Sequence, residues 1–176
     1  ANPDARLATG NQSAKDIAAS LTKYSSVVGV GGGRVLDAAK YAASQANLPM
    51  IAVATNLAHD GIASPVSILE HDGTRSSHGV SVPAAVLIDL DVVRSGPVRF
   101  LRAGIGDVLS NLNAVADWEL AREVNGEEVD GLAASMSRTA ATSLLNHPGT
   151  IEDPGFLTTL AEGLVLSGLA MAVAGT

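Results

Sequence analysis

Three stretches of this chain carry residues whose types and spacing can do chemistry. The first is Gly31-Gly32-Gly33, set between the apolar run Val27-Val28-Gly29-Val30 and the helix-patterned segment Arg34-Val35-Leu36-Asp37-Ala38-Ala39-Lys40. A strand that delivers bare backbone N–H groups to a helix N-terminus offers a place for a phosphate or pyrophosphate. Glycines there let a ligand reach the backbone with no Cβ in the way. The competing reading of the triplet is a tight strand-to-helix turn with no ligand. Neither common glycine-loop fingerprint fits. A Walker A loop needs Gly-Lys-Ser/Thr, whereas Arg34-Val35 follow Gly33, and G-x-G-x-x-G fits Gly29 and Gly31 but meets Arg34 at its third glycine.

The second stretch is Thr55-Asn56-Leu57-Ala58-His59-Asp60-Gly61-Ile62-Ala63-Ser64-Pro65. At the carboxyl end of a parallel strand it would lie beside the glycine loop, where ligands of open α/β sheets bind. Asp60 and Ser64 are suited to holding ligand hydroxyls, against the alternative of turn chemistry before Gly61, and His59 reads as a loop residue. The third is Ala103-Gly104-Ile105-Gly106-Asp107-Val108-Leu109-Ser110-Asn111, which puts a carboxylate in an apolar helix. A buried, unpaired carboxylate is costly. Asp107 therefore needs an Asn or Ser, a base or a metal beside it, unless it serves as an N-cap at Gly106-Asp107.

Several elements must position these residues. The spacing predicts a short strand at Arg6 to Ala8, a helix over Ser13 to Thr22, a buried strand at Ser26 to Val30 and a helix over Arg34 to Ala46 with Val35, Ala38, Ala39 and Ala42 on one face. A further strand runs from Met50 to Ala54. This β-α-β-α-β rhythm implies a parallel sheet covered by helices. Val66 to Glu70, a turn at His71-Asp72-Gly73-Thr74 and Ser76 to Val80 predict a β-hairpin. Ala85 to Asp89 reads as another core strand. Ser95-Gly96-Pro97 marks the best boundary, separating an α/β domain at 1–96 from a helical domain at 97–176. The helices expected beyond it are Val98 to about Val124 with a break near Gly104, then Gly131 to Leu145, then Pro154 to Ala174 with Asp153 as N-cap.

Composition narrows the classes. With 47% hydrophobic but only 3% aromatic residues, the core must be packed from Ala, Val, Leu and Ile. Eleven Lys and Arg against 18 Asp and Glu give a net charge of -7, which argues against nucleic acid or an anionic membrane as partner. The absence of cysteine excludes disulfides, thiolate metal sites and a cysteine nucleophile. No signal peptide opens the chain, so the cytoplasm is the expected compartment. The apolar tract Gly163 to Gly175 is expected to be too short to cross a bilayer, which takes about 20 residues.

The three stretches together resemble the metal-dependent polyol dehydrogenase superfamily, which includes dehydroquinate synthase and iron-type alcohol dehydrogenases, and most of all its glycerol-1-phosphate dehydrogenase branch. Gly29 to Tyr41, His59 to Pro65 and Ala103 to Asn111 occur in that family's order, and Asp-Trp-Glu-Leu-Ala at 117–121 and Ser167 to Gly175 extend the likeness. The fold this implies is α/β: a parallel-sheet nucleotide-binding domain with a β-hairpin insertion, followed by the start of an all-helical domain.

The resemblance implies a cofactor, NAD or NADP, lined by Gly31, Gly32, Gly33, Arg34, Val35, Leu36 and Asp37, with Thr55, Asn56, Leu57, Ala58 and Ser64 along the rest of it. It implies that Asp60 contacts a small phosphorylated polyol, and that Asp107, also at the substrate, is one of three protein ligands to a catalytic Zn2+ ion. The chain departs from the pattern at Asn56 and Ala58, where family members carry Ala and Ser. The family's two zinc-binding histidines fall beyond Thr176 and its first strand and helix before Ala1, so the chain is expected to be a piece of a longer enzyme, inactive alone. His71, His78 and His147 are expected to have surface or structural roles. Two other readings stay open: a dehydroquinate synthase-like lyase on the same scaffold, and a non-catalytic nucleotide-binding module. Association with a second copy of the chain is expected for an apolar helical domain of this kind.

Overall fold

The computed structural model describes residues 13–71 and 73–175, with the side chain of His71 also left aside. The strand expected at Arg6 to Ala8 and the turn residue Asp72 lie outside the described residues. Helix α1 (Ala14–Ala19) starts at Ser13, whose hydroxyl accepts from the Asp16 N–H, and stops three residues short of the expected Thr22. Strand β1 (Val27–Gly31), helix α2 (Gly33–Gln45) and strand β2 (Met50–Ala54) follow. Asn47, at φ 53, closes α2, with the Leu48 N–H returning to the Ala43 carbonyl at 2.9 Å. A 3-10 turn at Asp60–Ile62 leads into the antiparallel hairpin β3 (Val66–His71) and β4 (Thr74–Gly79). Then come β5 (Ala85–Ile88), α3 (Leu90–Ser95), α4 (Val98–Asn125), α5 (Gly131–Leu145) and α6 (Pro154–Ala174).

The sheet is parallel, ordered β1-β2-β5, with Val27 opposite Met50 and Ile51 opposite Ala85. Its inner face is made of small residues, Gly29, Ala52 and Ala54, which lets α2 lie close against it. The outer face is a correction to the expected sequence reading. Val28 and Val30 are 56% and 59% exposed and Leu87 57%, so β1 is not a buried strand, nor β5 a core one. Parallel sheets bury both faces when helices cover both, and the described helices cover only one. On α2, Ala39 and Ala42 are buried as the spacing predicts, while Ala38 is half-buried and Val35 is exposed; Leu36, Lys40 and Ala43 complete the inward side.

Helix α4 runs unbroken through Gly104, against the break expected there. The glycine serves packing. A Cβ on Gly104 would strike the Leu57 carbonyl, so only glycine lets α4 press against the loop after β2. Gly168 does the same from α6, where a Cβ would stand 2.7 Å from the Ser64 nitrogen. The loop carrying His59 and Asp60 is thus held between two helices at two points lacking side chains. One apolar core, including Leu36, Ala52, Leu57, Val108, Leu157, Leu160 and Leu164, runs from the sheet into the helices.

The length of α6 corrects another expectation. At 21 residues with mean hydropathy 1.7 over its most apolar window, it is long and apolar enough to cross a membrane. Here Leu157, Leu160 and Leu164 are fully buried in the core.

Candidate functional site

β1 ends at Gly31, and the Thr55 N–H ties the end of β2 to the Gly31 carbonyl at 3.0 Å. This places the loop after β2 beside the start of α2. Gly32, the residue capping α2, contributes no side-chain cap, so the first N–H groups of a 13-residue helix meet whatever approaches. The three glycines are half-exposed and Arg34 is exposed, its guanidinium 3.6 Å from Glu70 of the hairpin. Two loop side chains lie on the glycines themselves. A Cβ on Gly32 would meet Asn56 Nδ2, and one on Gly33 would meet His59 Nε2. His59 Nδ1 accepts from the Gly61 N–H at 3.0 Å, which leaves the ring N–H of a neutral imidazole at Nε2, beside Gly33.

The same loop reaches the helical part of the chain through Asp60. Its main-chain N–H donates to Asp107 Oδ2 at 2.8 Å, and its carboxylate accepts from Ser167 Oγ of α6 at 2.9 Å. Asn111, one turn beyond Asp107 on α4, donates to that serine oxygen at 3.0 Å. Asp107 lies in mid-helix, so the N-cap reading of this residue is corrected: α4 begins at Val98 behind Pro97. Burial pushes the Asp107 carboxyl above the usual carboxylate range, and the nearby Asp60 carboxylate pushes it further up. The Asp60 N–H and His59 oppose this in part.

The residues singled out in the sequence therefore divide into two layers. Gly31, Gly32, Gly33, Arg34, Val35, Thr55, Asn56, Ala58, Asp60 and Asp107 are exposed or half-exposed around the meeting of α2, the loop and α4. Leu36, Asp37, Leu57 and Ser64 are buried beneath it. Asp37 pairs with Lys40 at 3.0 Å. The buried Lys40 ammonium also donates to the carbonyls of Val66 and, at 3.5 Å, Ser64. The Ser67 hydroxyl donates to the Asp37 carbonyl at 2.8 Å. This polar cluster fastens the loop and hairpin to α2.

His78 packs edge-on against Tyr41, and His147 against Phe156. Sequence reasoning missed Ser167 and Asn111. The spacing of Asn111 from Asp107 on one helix was a usable signal, whereas nothing near Ser167 pointed to Asp60.

A divalent metal fits this arrangement only in part. Two carboxylates, one of them half-buried and held protonated more readily than usual, make a neighbourhood short of positive charge. Among the described residues, however, no three His, Asp or Glu side chains converge into a ligand set, and a catalytic zinc ordinarily takes three protein ligands.

Comparison with known proteins bears on the whole arrangement. Residues 3–97 match the family model described as iron-containing alcohol dehydrogenase. The glycerol-1-phosphate dehydrogenase [NAD(P)+] of Archaeoglobus fulgidus is 41% identical over 155 residues, which are 87% of this chain and 44% of that protein. The protein of the same name from Thermofilum pendens is 42% identical over 162 residues, 90% of this chain and 47% of the relative. Among solved structures, glycerol dehydrogenase from Schizosaccharomyces pombe superposes with a TM-score of 0.77 at 25% identity, covering 93% of this chain and 46% of that one. The chain thus spans less than half the length of each of these three relatives.

Proposed function

The chain belongs to the iron-containing alcohol dehydrogenase family, and from that premise we propose that it supplies the cofactor cradle and part of the substrate site of an NAD(P)-dependent dehydrogenase. Its substrate pair is glycerol 1-phosphate, named in the relatives from Archaeoglobus fulgidus and Thermofilum pendens, and dihydroxyacetone phosphate, the ketone that oxidation at C2 gives. One observation carries the reading: a single loop joins the uncapped, glycine-built start of α2 to the Asp60–Asp107 pair, through His59 on one side and Asp60 on the other.

The cradle supplies N–H groups from Gly33 onward to a dinucleotide pyrophosphate, with the Arg34 guanidinium adding a positive charge at its mouth. Thr55, Asn56 and Ala58 border the remainder of the cofactor. Leu36, Asp37, Leu57 and Ser64 act from below, the first and third as core and the other two through Lys40. Asp60 accepts a hydrogen bond from a polyol hydroxyl. A reduced nicotinamide held by this cradle would supply the hydride that, with a proton from solvent, turns the C2 ketone of dihydroxyacetone phosphate into the alcohol of glycerol 1-phosphate.

Asp107 is assigned as one ligand of a divalent ion, for which zinc is the ion the resemblance implies. Such an ion polarises a carbonyl as a Lewis acid when bound. The described side chains do not close a site around it, and the roles above stand on this chain's own residues.

The test is oxidation of NADH or NADPH by dihydroxyacetone phosphate with zinc present, by the complete reading frame that carries this chain, followed by nicotinamide absorbance. Net oxidation that Asp107→Ala abolishes supports the dehydrogenase reading. Turnover of a phosphorylated substrate with no net change in reduced nicotinamide contradicts it and indicates lyase chemistry on the same scaffold.

A further inference from the structure

Behind Asp60 stand two side chains for which the dehydrogenase reading supplies no role. Ser167, 4% exposed in α6, donates to Asp60 Oδ2 at 2.9 Å. Asn111 Nδ2 donates to the oxygen of that same serine at 3.0 Å and to the Val108 carbonyl at 3.0 Å. A carbonyl only accepts, so the Val108 contact fixes which end of the Asn111 amide is nitrogen. A hydroxyl has one proton to give. With the Asn111 N–H on one of its lone pairs, the Ser167 proton goes to the nearer and charged acceptor, Asp60, rather than to Asn111 Oδ1 at 3.4 Å. The donors run in one direction, from Asn111 to Ser167 to Asp60.

The backbone is shaped for this contact. Serine is short, and it reaches Asp60 because α6 comes within van der Waals distance of the loop. At the next residue, Gly168, a Cβ would stand 2.9 Å from the Asp60 carbonyl oxygen. The 3-10 turn that carries Asp60 is three residues long and leaves the carboxylate free to rotate about its own side-chain bonds. A charge-assisted bond from a rigid, buried helix removes that freedom.

We infer that Asn111 and Ser167 form a positioning relay that holds the Asp60 carboxylate by Oδ2 and leaves Oδ1, which has no donor among the described residues, for a hydroxyl of the polyol. The inference rests on the reading of Asp60 as a substrate contact. Asn111 acts through Ser167, and Ser167 through Asp60. Neither touches substrate.

The test compares Ser167→Ala, Ser167→Thr and Asn111→Asp in the full chain. Asn111→Asp keeps shape but replaces the donor with an acceptor that competes for the serine proton. The relay predicts that Ser167→Ala and Asn111→Asp raise the KM or Kd for dihydroxyacetone phosphate about tenfold, the scale of one hydrogen bond to a charged group. Affinity for NADH stays unchanged, Ser167→Thr recovers most of the loss by keeping the hydroxyl, and Asn111→Asp adds nothing once Ser167 is alanine. A merely structural role would lower the thermal midpoint without this substrate-specific change or this order dependence. Unchanged substrate constants in Ser167→Ala, where Asp60→Ala does impair substrate handling, overturn the relay.

If Asp60→Ala has no effect, or the unsubstituted protein neither binds nor reduces dihydroxyacetone phosphate, the reading of Asp60 as a substrate contact fails by itself. The urea-unfolding cycle of Ser167→Ala with Asp60→Ala then decides the relay. A Ser167→Ala cost roughly fivefold smaller in the unfolding constant when Asp60 is alanine supports it, and strict additivity overturns it.

Discussion

The main-chain N–H of Asp60 donates to Asp107 Oδ2 at 2.8 Å, so the loop after β2 and the middle of α4 hold each other directly. This contact brings a second carboxylate, that of Asp60, close to the one it fixes. The Asp107 carboxyl is raised above its ordinary range, by burial first and by Asp60 second. The bond from the Asp60 N–H offsets this only in part.

A pH-dependent stability follows. A carboxyl whose folded pKa lies above its unfolded value favours folding when protonated, and that contribution is lost as pH rises through the folded pKa. Asp107→Asn keeps an acceptor for the Asp60 N–H and removes the charge. Without added metal, the variant is expected to melt higher than the unsubstituted protein at neutral pH. The difference should vanish below about pH 4, where the unfolded carboxyl is protonated too. Thermal midpoints across this range check it, and a variant less stable at neutral pH would contradict the assigned cause.

The two glycines of α4 at 104 and 106 should respond oppositely to alanine. In an exposed helix interior, glycine to alanine gains about 0.5–1 kcal/mol. Gly106→Ala should show this gain, since a Cβ there meets nothing within 4 Å. Gly104→Ala should instead lose about 1–3 kcal/mol, as overpacking does, because its Cβ would strike the Leu57 carbonyl. Urea unfolding of both variants gives the two signs.

Lys40 is fully buried yet keeps its charge partner, Asp37, at 3.0 Å. Removing one member of a buried pair strands the other, at a cost of about 3–5 kcal/mol. Lys40→Met should show a loss of that order in urea unfolding, and Lys40→Met with Asp37→Leu should recover much of it. Additive losses in the double variant would mean that the two charges do not depend on one another.

Local signals in the sequence were enough for most elements. β2 at Met50–Ala54, α5 at Gly131–Leu145 and α6 at Pro154–Ala174 fall where apolar spacing and the Asp153-Pro154 start place them. What failed was everything decided by a distant surface. Gly104 reads locally as a helix breaker, and only the Leu57 carbonyl explains it. Asp107 after two glycines resembles a cap until α4 is seen to begin nine residues earlier, at Val98. Asp37 pairs with the buried ammonium of Lys40, which also reaches the Ser64 main-chain carbonyl, a contact that no local pattern around either residue shows. The glycine loop, Asp60 and Asp107 each sit in a short motif, and the structure places all three around the loop after β2. Ser167 was not legible, for it meets Asp60 across 107 residues of chain.

The most direct measurement of the central claim is an amide correlation spectrum of isotope-labelled protein, titrated with NADH and then with NADPH. The account predicts saturable shifts at the N–H groups of Gly31 to Val35 and of Thr55 to Ala58, with either nucleotide or both. The hairpin turn and the α4–α5 connection should stay unmoved. Shifts that leave the start of α2 untouched, or no saturable shift with either nucleotide, would contradict the assignment of this loop as a dinucleotide cradle.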